Sequence, residues 1–381
     1  MRIVVAMSGG VDSSAVAGLL AEAGHSVIGV TLQLYESGPR RHRGACCAGA
    51  DIHDARRVAD HLGIAHYVID AEARFREAVL EDFAASYARG ETPVPCVRCN
   101  QSVKFGDLSA LAHDLGCEAL ATGHYVRRVE GGAGPELHRA RDLGRDQSWF
   151  LFALTRAQLA LARFPLGEMP DKAAVRAIAA RLGLPVADKP DSQDLCFAPD
   201  GDHAAVAGRL RPAALAPGEI VSRDGRVLEG HRGLARYTVG QARRLGRAAF
   251  DQGERQVVVA LDAGRRRVIV GPRNTGVRRV ILSEINWLVA TPDRPVRAEV
   301  KLRARETPQP ATIFPANSGQ QAELMLDKAA LPAPGQAAVF YDGSRVLGGG
   351  FIARAVDLAP AAGEMLAGVV QGTAPGGVAQ R

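Results

Sequence analysis

The chain has 381 residues, of which 47% are hydrophobic and 23% charged, a balance that excludes disordered and collagen-like chains and leaves room for two or three domains. No apolar run approaches the ~20 residues of a membrane helix. Ser8-Gly9-Gly10 follows the first apolar residues too closely for a secretory leader, so a cytoplasmic protein without a membrane partner is expected. The net charge of +6 divides unevenly: residues 1–200 carry 22 Lys and Arg against 25 Asp and Glu, and residues 201–381 carry 25 against 16. A C-terminal half that meets a polyanion is one reading. An Arg-favouring genome is the other, since only five of the 47 basic residues are Lys.

In chain order, Arg2–Ala6 reads as a buried strand, Ser13–Ala23 as a helix and Val27–Leu32 as a second strand. Asp51–Leu62 repeats apolar residues at helical spacing and His66–Asp70 follows as a strand. A helix near Glu72–Tyr87, a loop with two prolines, a helix near Val103–Leu115 and a strand Ala119–Gly123 complete the pattern. Strands separated by helices of this length predict a doubly wound parallel α/β sheet. Val126–Asp142 reads as an inserted hairpin, and Gly218–Gly230 as a hairpin turning at Asp224-Gly225. From Val280 to Asp357, short β runs broken by Gly and Pro predict a small antiparallel barrel. The expected division is 1–204 catalytic, 205–279 linker, 280–360 barrel and 361–381 flexible tail.

Ser8-Gly9-Gly10-Val11-Asp12-Ser13-Ser14 sits at the first strand-to-helix turn. Glycines there let backbone N–H groups approach an anion, and the helix dipole adds attraction. The hydroxyls of Ser13 and Ser14 are further donors, and Asp12 is a candidate for placing Mg²⁺. No Walker A lysine is present, so a grip on a γ-phosphate is not indicated. This heptapeptide resembles the pyrophosphatase loop of adenylating enzymes, which cleave ATP between the α and β phosphates.

The cysteines admit three readings. Thr92–Phe105 reads TPVPCVRCNQSVKF and Asp191–Phe197 reads DSQDLCF. Cys96, Cys99 and Cys196 with Cys46 or Cys47 are candidates for thiolate zinc, for buried inert thiols, or for sulfur chemistry. Further matches lie at Cys46–Ile64, ATGHY (Ala121–Tyr125), RDQSWFL (Arg145–Leu151), FPLG (Phe164–Gly167), YTVGQARRLG (Tyr237–Gly246) and PGQAAVFY (Pro334–Tyr341). Together these segments resemble the bacterial tRNA-specific 2-thiouridylase family, from Arg2 to about Val356.

The resemblance implies an ATP-dependent sulfurtransferase that acts on the wobble uridine in the anticodon loop of tRNA. The C2 oxygen would be adenylated with release of pyrophosphate, Cys196 would carry a persulfide, and Cys99 would be the nucleophile. A transient Cys99–Cys196 disulfide follows from those roles. ATP, with its Mg²⁺, would lie against Ala6, Met7, Ser8, Gly9, Gly10, Val11, Asp12 and Ser13, with the Leu32 backbone at adenine and Gly123 opposite. The tRNA would meet Val94, Pro95, Cys96, His124, Arg145, Asp146, Gln147, Arg303, Ala304 and Gln336. Two departures stand out: the family commonly has Asn where this chain has Val94, and some members have Asp where it has Cys96. Candidates for phosphate contact are Arg243, Arg244, Arg247, Arg265–Arg267, Arg278, Arg279, Arg303 and Arg305. A persulfide-donating sulfur carrier or cysteine desulfurase is the expected protein partner, and the chain is expected to be a monomer.

Overall fold

The computed structural model describes residues 1–35, 49–191, 195–198, 201–316 and 319–356. Cys46, Cys47, residues 192–194 of the DSQDLCF segment and the expected tail 361–381 lie outside the described residues. Among the described residues, no helix is long and apolar enough to cross a membrane.

The N-terminal sheet is parallel throughout. Its strands are β1 (Arg2–Ala6), β2 (Ser26–Gln33), β3 (Ala65–Asp70) and β4 (Ala119–Ala121), in the order β3-β2-β1-β4, with Ala162–Arg163 beside β4. Alternate residues of β1 face opposite sides: Val4 joins the cluster beneath the helices at 72–114, while Ile3 and Val5 join the one beneath α1 (Val11–Glu22) and α2 (Gly49–Leu62). Burial on both faces explains the unbroken apolar run Ile3-Val4-Val5. Because β2 and β4 flank β1, the chain leaves the carboxyl ends of β1 and β4 in opposite directions. That opens a crevice at the position where such sheets take ligands.

The proline loop is shorter than the sequence suggests. Helix begins at Pro95, whose missing N–H costs nothing at the first helical position, and continues to Asp114. Its middle, Cys99–Asp107, is wound with π geometry, and Cys99 is the first residue of that wide turn. A similar π segment, Arg76–Leu80, interrupts the helix over 72–88.

Beyond residue 200, Gly218–Ser222 and Val227–His231 form the expected hairpin, and Gly218–Ser222 also pairs in parallel with Arg267–Pro272 in a five-stranded mixed sheet. The six strands from Val277–Trp287 to Arg345–Val356 close into a barrel, because Val277–Trp287 pairs with both Gln321–Ala330 and Arg345–Val356. The hairpin Val126–Gly131/Gly134–Arg139 is stitched to this barrel: His138 pairs with Arg345, and the Arg139 N–H donates to Ser344 O at 2.7 Å. Leu137, Trp149 and Phe152 share one apolar cluster with Val339, Tyr341 and Phe351 of the barrel.

Candidate active site

The first turn of α1 is built to leave donors exposed. Its N-cap is Gly10, which has no side chain with which to cap, so the first N–H groups of the helix await an acceptor. Gly9 has φ +71°, and a Cβ there would lie 2.1 Å from the Asp51 carbonyl oxygen of α2. A Cβ on Gly123 would lie 2.9 Å from Ser13 N, so β4 can approach the helix start only through glycine. A Cβ on Gly10, by contrast, meets nothing nearer than Ser8 Oγ at 3.5 Å. The space in front of the loop is therefore open, and it fits a phosphate chain. Of the two expected hydroxyl donors, Ser14 Oγ turns inward to Gly10 O at 2.8 Å. Ser13 Oγ accepts from the Ser8 N–H at 3.1 Å and steadies the loop.

Asp12 does not present an open carboxylate. Lys172 Nζ lies 2.7 Å from both of its oxygens, and the Tyr125 hydroxyl donates to Oδ1 at 2.7 Å. Burial and the Asp12 carboxylate push the Tyr125 hydroxyl far up, so it remains a donor. Lys172 also holds Asp191 at 2.6 Å, and Arg145 donates to the other Asp191 oxygen at 3.0 Å. On the other flank, Lys189 donates to Gly9 O at 3.0 Å and to Asp51 and Asp54 at 2.6 Å each. The residues around the loop thus fit ATP through backbone N–H groups, whereas a cation on Asp12 has to displace Lys172.

These elements wall a cleft of about 1330 Å³. Its floor includes Ala6, Met7, Ser8, Gly10, Val11, Asp12 and Ser13 from the loop, with Leu32 and Gly123 on either side. Higher up it meets His124, Arg145, Asp146 and Gln147, and the barrel closes it with Lys301, Ala304 and Glu306. His124 Nδ1 sits 2.8 Å from Thr122 Oγ1, and burial with the charge of Lys104 holds its imidazole down to about 3. It is therefore neutral. Asp146 is a brace, accepting from Ala140 N, Ser148 N and Ser148 Oγ at 2.9–3.1 Å. Gln147 Oε1 accepts from Tyr125 N at 2.8 Å. Burial lowers the Lys301 ammonium and raises the Glu306 carboxyl.

Sequence reasoning missed the lysines. Of the five in the chain, Lys104, Lys189 and Lys301 line the cleft and Lys172 grips the loop's carboxylate from behind. Their scarcity among so many arginines was the available signal.

The remaining expected residues lie elsewhere. Cys99 is buried, Cys96 is exposed and Cys196 is partly exposed. Cys196 and Phe197 pack on the same apolar cluster that contains Cys99, and the Phe197 ring meets Phe83 at 5.0 Å. Neither Cys99 nor Cys196 lines the cleft among its described walls. Beside Cys99, the amide of Asn100 donates to Phe150 O at 3.1 Å, while its buried Oδ1 has no partner among the described residues. Val94 and Pro95 are buried, and Gln336 Nε2 donates to Thr92 O at 3.1 Å, tying that loop to the barrel. Arg303 donates to Val239 O at 2.7 Å and Leu331 O at 3.1 Å, a clasp between the barrel and the core beneath the five-stranded mixed sheet. Among the described residues no group of three or more His, Cys, Asp or Glu is placed to hold a metal.

A family model described as "tRNA methyl transferase HUP domain" matches residues 1–200, and one described as "Aminomethyltransferase beta-barrel domain" matches residues 277–352. The tRNA-specific 2-thiouridylase MnmA of Acidiphilium cryptum (strain JF-5) is 67% identical over 92% of this chain and 100% of its own length. The protein of the same name from Gluconobacter oxydans (strain 621H) is 61% identical over 92% of this chain and 99% of its own. A third, from Rhodospirillum centenum (strain ATCC 51521 / SW), is 55% identical over 93% of this chain and 92% of its own. With matches of this extent at both ends, the chain belongs to the tRNA-specific 2-thiouridylase family.

Proposed function

We propose that this chain is a tRNA sulfurtransferase that thiolates C2 of the wobble uridine at the expense of ATP. The observation that carries the reading is the coexistence of an uncapped phosphate loop with two cysteine segments packed on one apolar cluster. A methyl transfer, which one family description mentions, needs neither feature. The cleft has room for a nucleotide and a flipped base together, and an unpaired anticodon base can be splayed at modest cost. We treat 1–204 as the catalytic unit, 205–279 as a linker and 280–360 as the RNA-holding barrel.

Uracil O2 is a poor leaving group, and ATP supplies an adenylyl group that turns it into AMP. The backbone donors of Gly10 and α1 hold the phosphates while Lys189 keeps the Gly9 carbonyl turned away from them. The outer sulfur of a Cys196 persulfide then attacks C2 and AMP departs. Cys99, as thiolate, attacks Cys196 Sγ, which breaks the S–S bond to the transferred sulfur and leaves thiouridine plus a Cys99–Cys196 disulfide. An external dithiol reduces that disulfide by two electrons before the next turnover, and a sulfur carrier or desulfurase reloads Cys196.

The test is thiolation of unmodified tRNA by the full chain with ATP and a persulfide donor. Cys99→Ser and Cys196→Ser are each expected to lose thiolation by more than about a hundredfold. Wild-type rates in both variants would sink the mechanism.

A further inference from the structure

The linker sheet carries an exposed aromatic among arginines, outside the cleft. Along residues 243–250, Leu245 and Ala248 turn into the linker core while Arg243, Arg244, Arg247 and Phe250 face out. Phe250 keeps 65% of its surface exposed, the largest fraction for any exposed large apolar side chain among the described residues. It sits on a two-residue edge strand directly opposite Arg255, another exposed residue. Val227, 53% exposed, lies close by, because its neighbour Arg226 bonds Asp251 at 2.7 Å.

The arginines of this face differ from several of the others considered for phosphate contact. Arg265 is paired with Asp262, Arg267 with Glu219 and Arg279 with Glu323, and Arg303 is fixed in its clasp. Among the described residues, Arg243, Arg244, Arg247 and Arg255 make no ion pair, and the nearby carboxylates are largely engaged: Asp251 by Arg226, Glu229 by the Arg247 N–H. Among the described residues, Glu229 and Glu254 make no ion pair and remain to oppose them. A polyanion with stackable faces suits such a surface, since bases stack on exposed rings while phosphates meet guanidinium groups. Val239, four residues before Arg243, accepts from Arg303, whose chain neighbours Ala304–Pro308 line the cleft.

Resting on the proposed function, we infer that Phe250 is a stacking platform for an unpaired tRNA base other than the target uridine, with Arg243, Arg244, Arg247 and Arg255 on the flanking phosphates. The test is steady-state thiolation on the full chain with ATP, a small-molecule persulfide donor and a dithiol reductant, together with tRNA titration of Phe250→Trp by tryptophan emission. Phe250→Ala is expected to raise KM for tRNA about tenfold with kcat unchanged. Arg255→Ala is expected to raise KM and to reduce its salt dependence by about one unit of log–log slope. Emission of Phe250→Trp is expected to fall on tRNA addition. An unchanged KM for Phe250→Ala, or unquenched emission under turnover, overturns the inference. So does a defect seen only with a protein sulfur donor, which assigns the face to that protein instead. If wild type itself fails to thiolate tRNA, the proposed function falls, and with it the basis of this inference.

Discussion

Lys172 and Asp12 stand 160 residues apart in the chain and touch at 2.7 Å through both carboxylate oxygens. The ammonium group is almost enclosed, and its other partner is Asp191, five residues before Cys196. One lysine thus couples the phosphate loop to the segment that carries the thiol.

Removing that ammonium leaves two carboxylates facing each other. Lys172→Met is expected to cost about 1–3 kcal/mol, less than for a fully buried pair because both carboxylates retain some solvent. Urea unfolding measures it, and a cycle with Asp12→Asn should recover part of the loss. Burial opposes ionisation of Asp191, but Lys172 and Arg145 outweigh it and hold its carboxyl below the ordinary value. That stabilisation is present above the unfolded carboxylate value near 3.8 and is lost as pH falls through the lower folded value.

Gly9 and Gly10 should separate folding from binding. Gly9→Ala combines a left-handed φ with a 2.1 Å clash against backbone and is expected to lose at least about 2 kcal/mol of stability. Gly10→Ala meets no protein atom nearer than 3.5 Å, so the fold survives while its methyl enters the phosphate space. Its KM for ATP should rise at least tenfold with the unfolding midpoint unchanged. Equal effects of the two substitutions on unfolding would contradict this.

His124 predicts a pH dependence with a definite sign. Burial and Lys104 hold the imidazole at about 3, far below the unfolded value near 6.5. A base depressed by folding contributes stability that is whole above 6.5 and drains away as pH falls toward 3. His124→Gln should flatten the stability profile across that window and leave it unchanged above pH 7. Chemical denaturation at several pH values reads this directly.

Arg303 distinguishes a clasp from a simple positive charge. One of its two terminal nitrogens donates to the carbonyls of Val239 and Leu331, its Nε lies 3.6 Å from a Glu306 carboxylate oxygen, and a Cβ on Gly240 would lie 2.6 Å from the same terminal nitrogen. Lysine keeps the charge but not the planar fork, so Arg303→Lys should lose about 1–2 kcal/mol, nearly as much as Arg303→Met. Full stability in Arg303→Lys would return the residue to a purely electrostatic role.

The phosphate loop was legible because its glycines and hydroxyls are adjacent and sit at the first strand-to-helix turn, where local geometry decides everything. The parallel sheet was legible through Ile3-Val4-Val5 and its counterparts. The helix start at Pro95 was not, since a Pro-Val-Pro sequence favours extended backbone until tertiary packing of Val97 overrides it. Lys172 and Lys189 were invisible for another reason: their partners Asp12 and Asp51 lie 160 and 138 positions away. Distant ion pairs leave no periodic trace. The barrel strands announced themselves by composition, but nothing local marked the hairpin at Val126–Arg139 as their neighbour.

That hairpin has a consequence for the time course of biosynthesis. His138 Nδ1 waits for Ser344, 206 residues later, before it and the strand edge beside it find their partners. At a ribosomal pace of roughly 5–20 residues per second, the delay is about 10–40 s. For that interval Leu137, Trp149 and Phe152 lack the barrel half of their cluster. The nascent chain therefore exposes a sticky edge for most of its synthesis, and an N-terminal fragment released at residue 204 keeps it exposed for good.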